Sequence, residues 1–176
     1  VRENCYNIQN AGRSLLSIIN DILDFSKIEA GKIELIEEPF NISSIINDAI
    51  NMAMTRKGDK DIDIIVRLDP EIPKGLIGDE MRIRQVIINL LTNAVKFTNE
   101  GCVLLKVTQS SHDYGINLNV SVKDTGIGIT EENIEKLFTS FQQVDTKKNR
   151  AVEGTGLGLA ISKRLITSMH GFMNVS

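Results

Sequence analysis

The stretch Val86-Ile-Ile-Asn-Leu-Leu-Thr-Asn-Ala-Val-Lys-Phe97 constrains this chain more than any other. Wound at 3.6 residues per turn it is apolar almost all the way round, and such a helix has to be covered by other parts of the molecule. Asn89, Asn93 and Lys96 interrupt it at i, i+4 and i+7, so they share one face, and Gln85 extends that stripe by one turn. Carboxamides buried without partners cost about 1–3 kcal/mol each, so the stripe either faces water or meets a polar ligand. The helix alone leaves both options open. Asp79 can cap its start, and Asn99-Glu-Gly101 closes it.

Around this helix the periodicity changes repeatedly. Ile8, Ala11, Leu15, Ile18, Ile22 and Phe25 recur in steps of three and four, and Leu16, Ile19 and Leu23 widen the stripe. This predicts one long helix, stopped by Gly31, whose broad face suits a bundle with a symmetry mate in preference to an ordinary core-facing helix. Glu37-Glu38-Pro39 separates it from the remainder of the chain. Residues 42–54 are helix-periodic, 61–69 alternate mostly in twos, and 69–73 form a turn-rich break. Strands at 102–109 and 116–123 read as an antiparallel hairpin joined by a polar turn over 110–115, which contains His112. A last helix is expected near 157–169, with His170 at its end. The economical architecture is α+β: a two-layer α/β sandwich, helices on one face of a largely antiparallel sheet, preceded by a long bundle-forming helix.

Composition narrows the function classes. With 176 residues, 41% hydrophobic and 24% charged, the chain suits one globular domain plus an appendage rather than disorder. A net charge of -3 provides no basic footprint, so nucleic acid is not the expected partner. No apolar run approaches the ~18–20 residues of a membrane span, so no membrane contact is expected of this stretch. Cys5 and Cys102 stand far apart without metal or redox spacing and read as small buried hydrophobes in a reducing compartment.

Two glycine loops favour the ligand reading of the stripe. Asp124-Thr-Gly-Ile-Gly-Ile129 follows a strand, and Gly154-Thr-Gly-Leu-Gly-Leu159 opens a helix. A helix entered through glycines turns unpaired N–H groups and its positive end toward an anion, so the second loop is a candidate phosphate cradle. Neither loop carries GxxxxGK[ST], and Asp124 precedes its glycines instead of following them by ~20 residues, so the P-loop and the dinucleotide-binding fold both fail.

Together, Asn89-Leu-Leu-Thr-Asn-Ala-Val-Lys-Phe-Thr98, Asp124-Thr-Gly-Ile-Gly-Ile129, Phe138-Thr-Ser-Phe141 and Gly154-Thr-Gly-Leu-Gly-Leu-Ala-Ile161 resemble, in order and spacing, four boxes of sensor histidine kinases. Residues 15–31 resemble the second helix of that family's dimerisation and phosphotransfer domain. The resemblance implies the ATP-binding sandwich shared with gyrase and related chaperones, with ATP and Mg²⁺ as cofactors. Residues 1–36 would hold the partial dimerisation helix and linker, and 37–176 the ATP-binding catalytic domain, truncated at its C-terminus. By position, Asn93 would hold Mg²⁺, Asn89 would support the metal and phosphates, and Lys96 would neutralise phosphate charge. Asp124 would accept from the adenine amino group, with Gly126 and Gly128 admitting the base. Gly154, Thr155, Gly156, Leu157 and Gly158 would admit the phosphates. Residues 143–153 would form a lid carrying Lys147, Lys148 and Arg150, of which Arg150 falls where the family usually has a basic residue. Phe138 and Phe141 would anchor the lid or serve as plain core. The implied partners are a second copy, through the N-terminal helix, and a response regulator receiver domain, in the cytoplasm.

The resemblance also has gaps. Neither His112 nor His170 sits in the family's phosphoacceptor pattern, so the acceptor is expected outside this chain. Val152 and Glu153 stand where an aromatic residue and a glycine are usual. Hydrolysing relatives have Glu at the position of Asn89, and a carboxamide cannot act as a base, so transfer to histidine is favoured over hydrolysis. A degenerate nucleotide-binding regulatory module and a hydrolysing ATPase are the alternatives.

Overall fold

The computed structural model describes residues 2–113, 115–134, 137–138 and 156–175. In order they form α1 (Arg2–Glu29), β1 (Glu38–Phe40), α2 (Ile42–Lys57), β2 (Asp61–Leu68), β3 (Leu76–Gly78), α3 (Glu80–Phe97), β4 (Glu100–His112), β5 (Gly115–Asp124), α4 (Glu131–Ile134) and α5 (Gly158–Ser168). The chain divides into two units, Leu35–Thr130 and the pair of segments Val1–Glu34 and Glu131–Ser176.

The unit Leu35–Thr130 is a two-layer α/β structure. Asn41 caps α2 by accepting from the Ser43 N–H at 2.8 Å, and Asp79 caps α3, as its place in the sequence predicts. Strands β2, β4 and β5 form one sheet with β4 in the middle. The hairpin is antiparallel as expected, with Val103 opposite Asp124 and His112 opposite Gly115. Strand β2, however, runs parallel to β4, with Asp61 opposite Glu100 and Leu68 opposite Val107, so the sheet is mixed rather than largely antiparallel. The cause lies in the connection: a crossover carrying α3 returns the chain in the same direction, which a hairpin cannot do. The polar residues 110–112 extend β4 instead of forming the turn, because cross-strand pairing outweighs their weak strand preference, and the His112 backbone is therefore part of a ladder. A further pair, β1 with β3, places Pro39 opposite Ile77; at three residues each these strands are too short to show a period.

Ile42, Ile45, Ala49 and Ala53 of α2 meet Ile87, Leu91 and Val95 of α3 above Ile62, Val103, Leu105 and Val107 of the sheet. Each large side chain so buried contributes about 1.5–3 kcal/mol. Arg84 ties the two helices at their rim, paired with Asp48 of α2 and Glu80 of its own helix. Because Val103, Leu105 and Val107 point into the core, Cys102 points the other way and is only partly buried, contrary to its reading as a core residue.

In the other unit, Gly31 at φ 62° ends α1 and its N–H bonds the Ile28 carbonyl. On α5, Arg164 pairs with Glu29 of α1 and lies 5.1 Å from the centre of the Phe25 ring. Helix α5 ends in a left-handed residue, and that residue is His170 at φ 60°, with the Gly171 N–H bonding the Ile166 carbonyl at 2.8 Å. None of the helices among the described residues is long and apolar enough to cross a membrane.

Candidate functional site

Helix α3 is anchored at its start by Asp79, which is 7% exposed: Oδ1 accepts from the Arg82 N–H at 3.0 Å and Oδ2 from the Ile36 N–H at 3.2 Å. Its apolar side carries Ile87, Leu91, Ala94 and Val95 into the core, which rotates Asn89, Asn93 and Lys96 together onto the other face. All three are half-buried, and Asn93 Nδ2 donates to Asn89 Oδ1 at 3.2 Å. This bond leaves the Asn93 amide oxygen outside the pair. Gln85, one turn earlier, accepts from Arg82 Nη1 at 3.0 Å, and the Lys96 ammonium lies 4.8 Å from the centre of the Phe97 ring. The stripe is therefore neither a fully solvated face nor part of the core.

The Asp124 loop is seated on the far end of the same helix. Asp124 closes β5 with an exposed carboxylate, whose Oδ1 accepts from the Gly126 N–H at 2.9 Å. The Ile127 N–H bonds the Phe97 carbonyl at 3.3 Å. A Cβ on Gly126 would overlap that carbonyl oxygen, so only glycine allows the approach, and Gly128 adopts φ 68°, where glycine is favoured. Thr125 adds a second anchor: its Oγ1 accepts from the Cys102 N–H at 2.9 Å and occupies the space that a Cβ on Gly101 would need.

Of the second glycine loop, Gly156 has φ 70°, Leu157 is 1% exposed and stands at the N-cap of α5, and Gly158 is the first helical residue. Leucine has no polar side-chain atom with which to cap the helix. Phe138 lies under the Lys163 ammonium, 4.4 Å from the ring centre. Arg150, Gly154 and Thr155, with Phe141 and the lid expected at 143–153 including Lys147 and Lys148, lie outside the described residues.

The structure thus brings Asn89, Asn93, Lys96, Asp124, Gly126 and Gly128 into one unit around one helix, while Gly156, Leu157 and Gly158 belong to the other. Three contributors escape a reading of the sequence alone. Thr125 and Gly101 act through each other across 23–25 residues, and Lys60 donates to the end of α3 from 35–38 residues away. A lysine in a Gly-Asp-Lys turn looks solvated in any local window, so no short-range signal marks it.

Known proteins resemble this chain in sequence and in fold. The family described as histidine kinase-, DNA gyrase B- and HSP90-like ATPase matches residues 78–176. The chain is 43% identical over 173 residues to hybrid signal transduction histidine kinase B of Dictyostelium discoideum, covering 98% of this chain and 9% of that protein. It is 40% identical over 169 residues to the sensor histidine kinase GacS of Pseudomonas protegens, covering 96% of this chain and 18% of that one. Among solved structures, full-length ShkA in complex with AMPPNP matches with a TM-score of 0.78 at 35% identity, over 96% of this chain and 34% of that one. The chain spans less than a fifth of these two curated relatives. A match that begins just before α3 and runs over more than half of the chain makes it a member of the histidine kinase-, DNA gyrase B- and HSP90-like ATPase family.

Proposed function

We propose that this chain is the nucleotide-binding part of a sensor histidine kinase, taking Mg-ATP and passing the γ-phosphoryl group to a histidine supplied from elsewhere. The observation that carries this reading is the half-buried Asn89–Asn93 pair with Lys96, on a helix whose last turn also seats the Asp124 loop. On this reading Asp124 holds Gly126 with Oδ1 and offers Oδ2 to the adenine amino group. Gly126 and Gly128 let backbone approach the base. Arg150, Gly154, Thr155, Gly156, Leu157 and Gly158 are assigned to the phosphates by their match to the family's boxes alone.

Among the described residues, no group of three His, Cys, Asp or Glu side chains could cage a metal. Mg²⁺ is commonly held by one or two protein oxygens with phosphate and water, so such a cage is not required of the protein. The Asn93 amide oxygen is the ligand atom that the Asn89 bond leaves outside the pair, and Asn89 fixes its orientation. Bound there, the ion would neutralise phosphate charge. In the transfer an imidazole nitrogen forms a bond to the γ-phosphorus, the bond to the β,γ-bridging oxygen breaks, and ADP leaves with that electron pair. Lys96 offsets the negative charge, and Asn89 cannot deprotonate water, which keeps hydrolysis slow.

Residues 1–36 then supply part of a dimerisation and phosphotransfer helix, and 37–176 the ATP-binding domain. The exposed side chains of Leu15, Leu16, Ile19 and Leu23 on α1 support pairing with a second copy. A receiver domain would take the phosphoryl group onward, in keeping with relatives named as sensor and hybrid kinases. The compartment proposed for this work is the cytoplasm.

Calorimetric titration with AMP-PNP, with and without Mg²⁺, tests the reading. Asn93→Ala should lower the Mg²⁺-dependent affinity by about tenfold or more while the melting curve stays in place. The parent chain should label an added helix fragment that carries an acceptor histidine, from γ-labelled ATP, without labelling itself. Affinity that ignores both Mg²⁺ and the substitution would sink the assignment.

A further inference from the structure

The last turn of a helix leaves its carbonyls without intrahelical donors, and in α3 that turn carries Lys96 and receives the Asp124 loop. Its carbonyls are divided among three sources. Ala94 accepts from the N–H of Thr98 at 3.1 Å and from its buried Oγ1 at 2.8 Å. Phe97 accepts from the Ile127 N–H of the glycine loop. The rest fall to one side chain: Lys60 Nζ lies 2.8 Å from the Val95 oxygen, 3.0 Å from that of Lys96 and 2.9 Å from that of Thr98. An ammonium has three donors, and here each has its own carbonyl.

Lys60 can reach them because of where its turn sits. Gly58 at φ 53° ends α2, the Lys60 N–H bonds the Lys57 carbonyl at 3.1 Å, and β2 begins at the next residue. The parallel pairing of β2 with β4 sets Asp61 beside Glu100, three residues beyond the end of α3. Sheet register therefore delivers the lysine to the helix end, and its positive charge meets the negative end of the helix dipole. The carbonyls it holds flank, on both sides, the Phe97 carbonyl that anchors Ile127.

We infer that Lys60 is a positioning residue of the nucleotide site, fixing the turn that presents Lys96 and seats the Asp124 loop. This inference rests on the nucleotide-binding reading of those residues. Lys60 touches no reacting atom in this role; it acts through the backbone of 95–98. Without its ammonium, three carbonyls lose their donor together, the last turn of α3 loosens, and the Phe97–Ile127 bond loosens with it.

The test uses the whole chain with Lys60→Met, which keeps length and removes every donor, and Lys60→Arg, which keeps donors and charge. Two quantities are read: affinity for AMP-PNP with Mg²⁺, and amide exchange of Ile127 relative to the core amides of Leu105 and Val107. Lys60→Met should bind about tenfold more weakly, and its Ile127 amide should exchange faster than the reference amides by a similar factor. Lys60→Arg should recover most of both. If Lys60→Met does not fold, Lys60→Gln, which keeps a single donating group, takes its place in both measurements. Parent-like affinity in a folded Lys60→Met or Lys60→Gln chain would overturn the inference. So would exchange at Ile127 that rises only in step with Leu105 and Val107, because that marks a global loss of stability. If the parent chain itself bound no AMP-PNP, the nucleotide reading would fall, while the Ile127 exchange would still judge whether Lys60 seats the loop.

Discussion

Helix α3 keeps Ile87, Leu91 and Val95 at 1% exposure or less, whereas α1 leaves Leu15, Leu16 and Leu23 more than half exposed. Both helices carry wide apolar stripes, so the difference does not come from composition. Helix α3 is enclosed by α2 and the sheet, capped by Asp79 at its start and held by Lys60 and the Asp124 loop at its end. Along α1, the contacts with α5 involve its C-terminal part, at Phe25 and Glu29. A stripe that is enclosed within one chain stabilises that chain's fold; a stripe left open is available for association.

The contrast is most directly broken by shortening one leucine in each helix. Leu91→Ala should lower stability by about 2–5 kcal/mol in denaturant titration, the range for a buried leucine that leaves a cavity. Leu16→Ala, measured at a concentration low enough to keep the chain monomeric, should change it by less than about 0.5 kcal/mol. Equal losses would mean that α1 is covered within the chain after all.

Gly126→Ala sharpens the comparison at the end of α3. The new Cβ would meet the Phe97 oxygen, a backbone atom that cannot swing aside, so the loop must lift from the helix. A loss of about 1–3 kcal/mol is expected, with weaker AMP-PNP binding in the same titration. Undiminished binding would show that the loop need not be seated on α3.

The smallest effect should have the opposite sign. Gly12 lies inside α1, and beyond its own turn of helix no atom comes within 4 Å of the place a methyl group would take. Gly12→Ala should therefore raise the stability of α1 by about 0.5–1 kcal/mol, seen as increased helical signal by circular dichroism. A loss of stability instead would indicate that the second copy packs closely at Gly12.

Much of the site is legible without any knowledge of the fold. The spacing of Asn89, Asn93 and Lys96 places them on one helical face, and Asp79 marks the start of that helix, because both depend on interactions within a turn or two. The Asp124 loop stands out through its glycines. Lys60 and Thr125 do not, since their partners lie 23–38 residues away and nothing in their own neighbourhoods changes when those partners are present.

The sequence by itself determined the local elements: where helices α2 and α3 begin, which faces are apolar, and where glycine must turn the chain. Hydrophobic periodicity, caps and backbone freedom are properties of a few consecutive residues, so they survive without a tertiary context. Only the tertiary structure decided that β2 runs parallel to β4, that His112 joins a strand, that Cys102 faces outward, and that Lys60 ends on the carbonyls of α3. Each of those depends on which distant segments meet, and that is settled by the joint burial of the apolar faces of α2, α3 and the sheet rather than by any one of them.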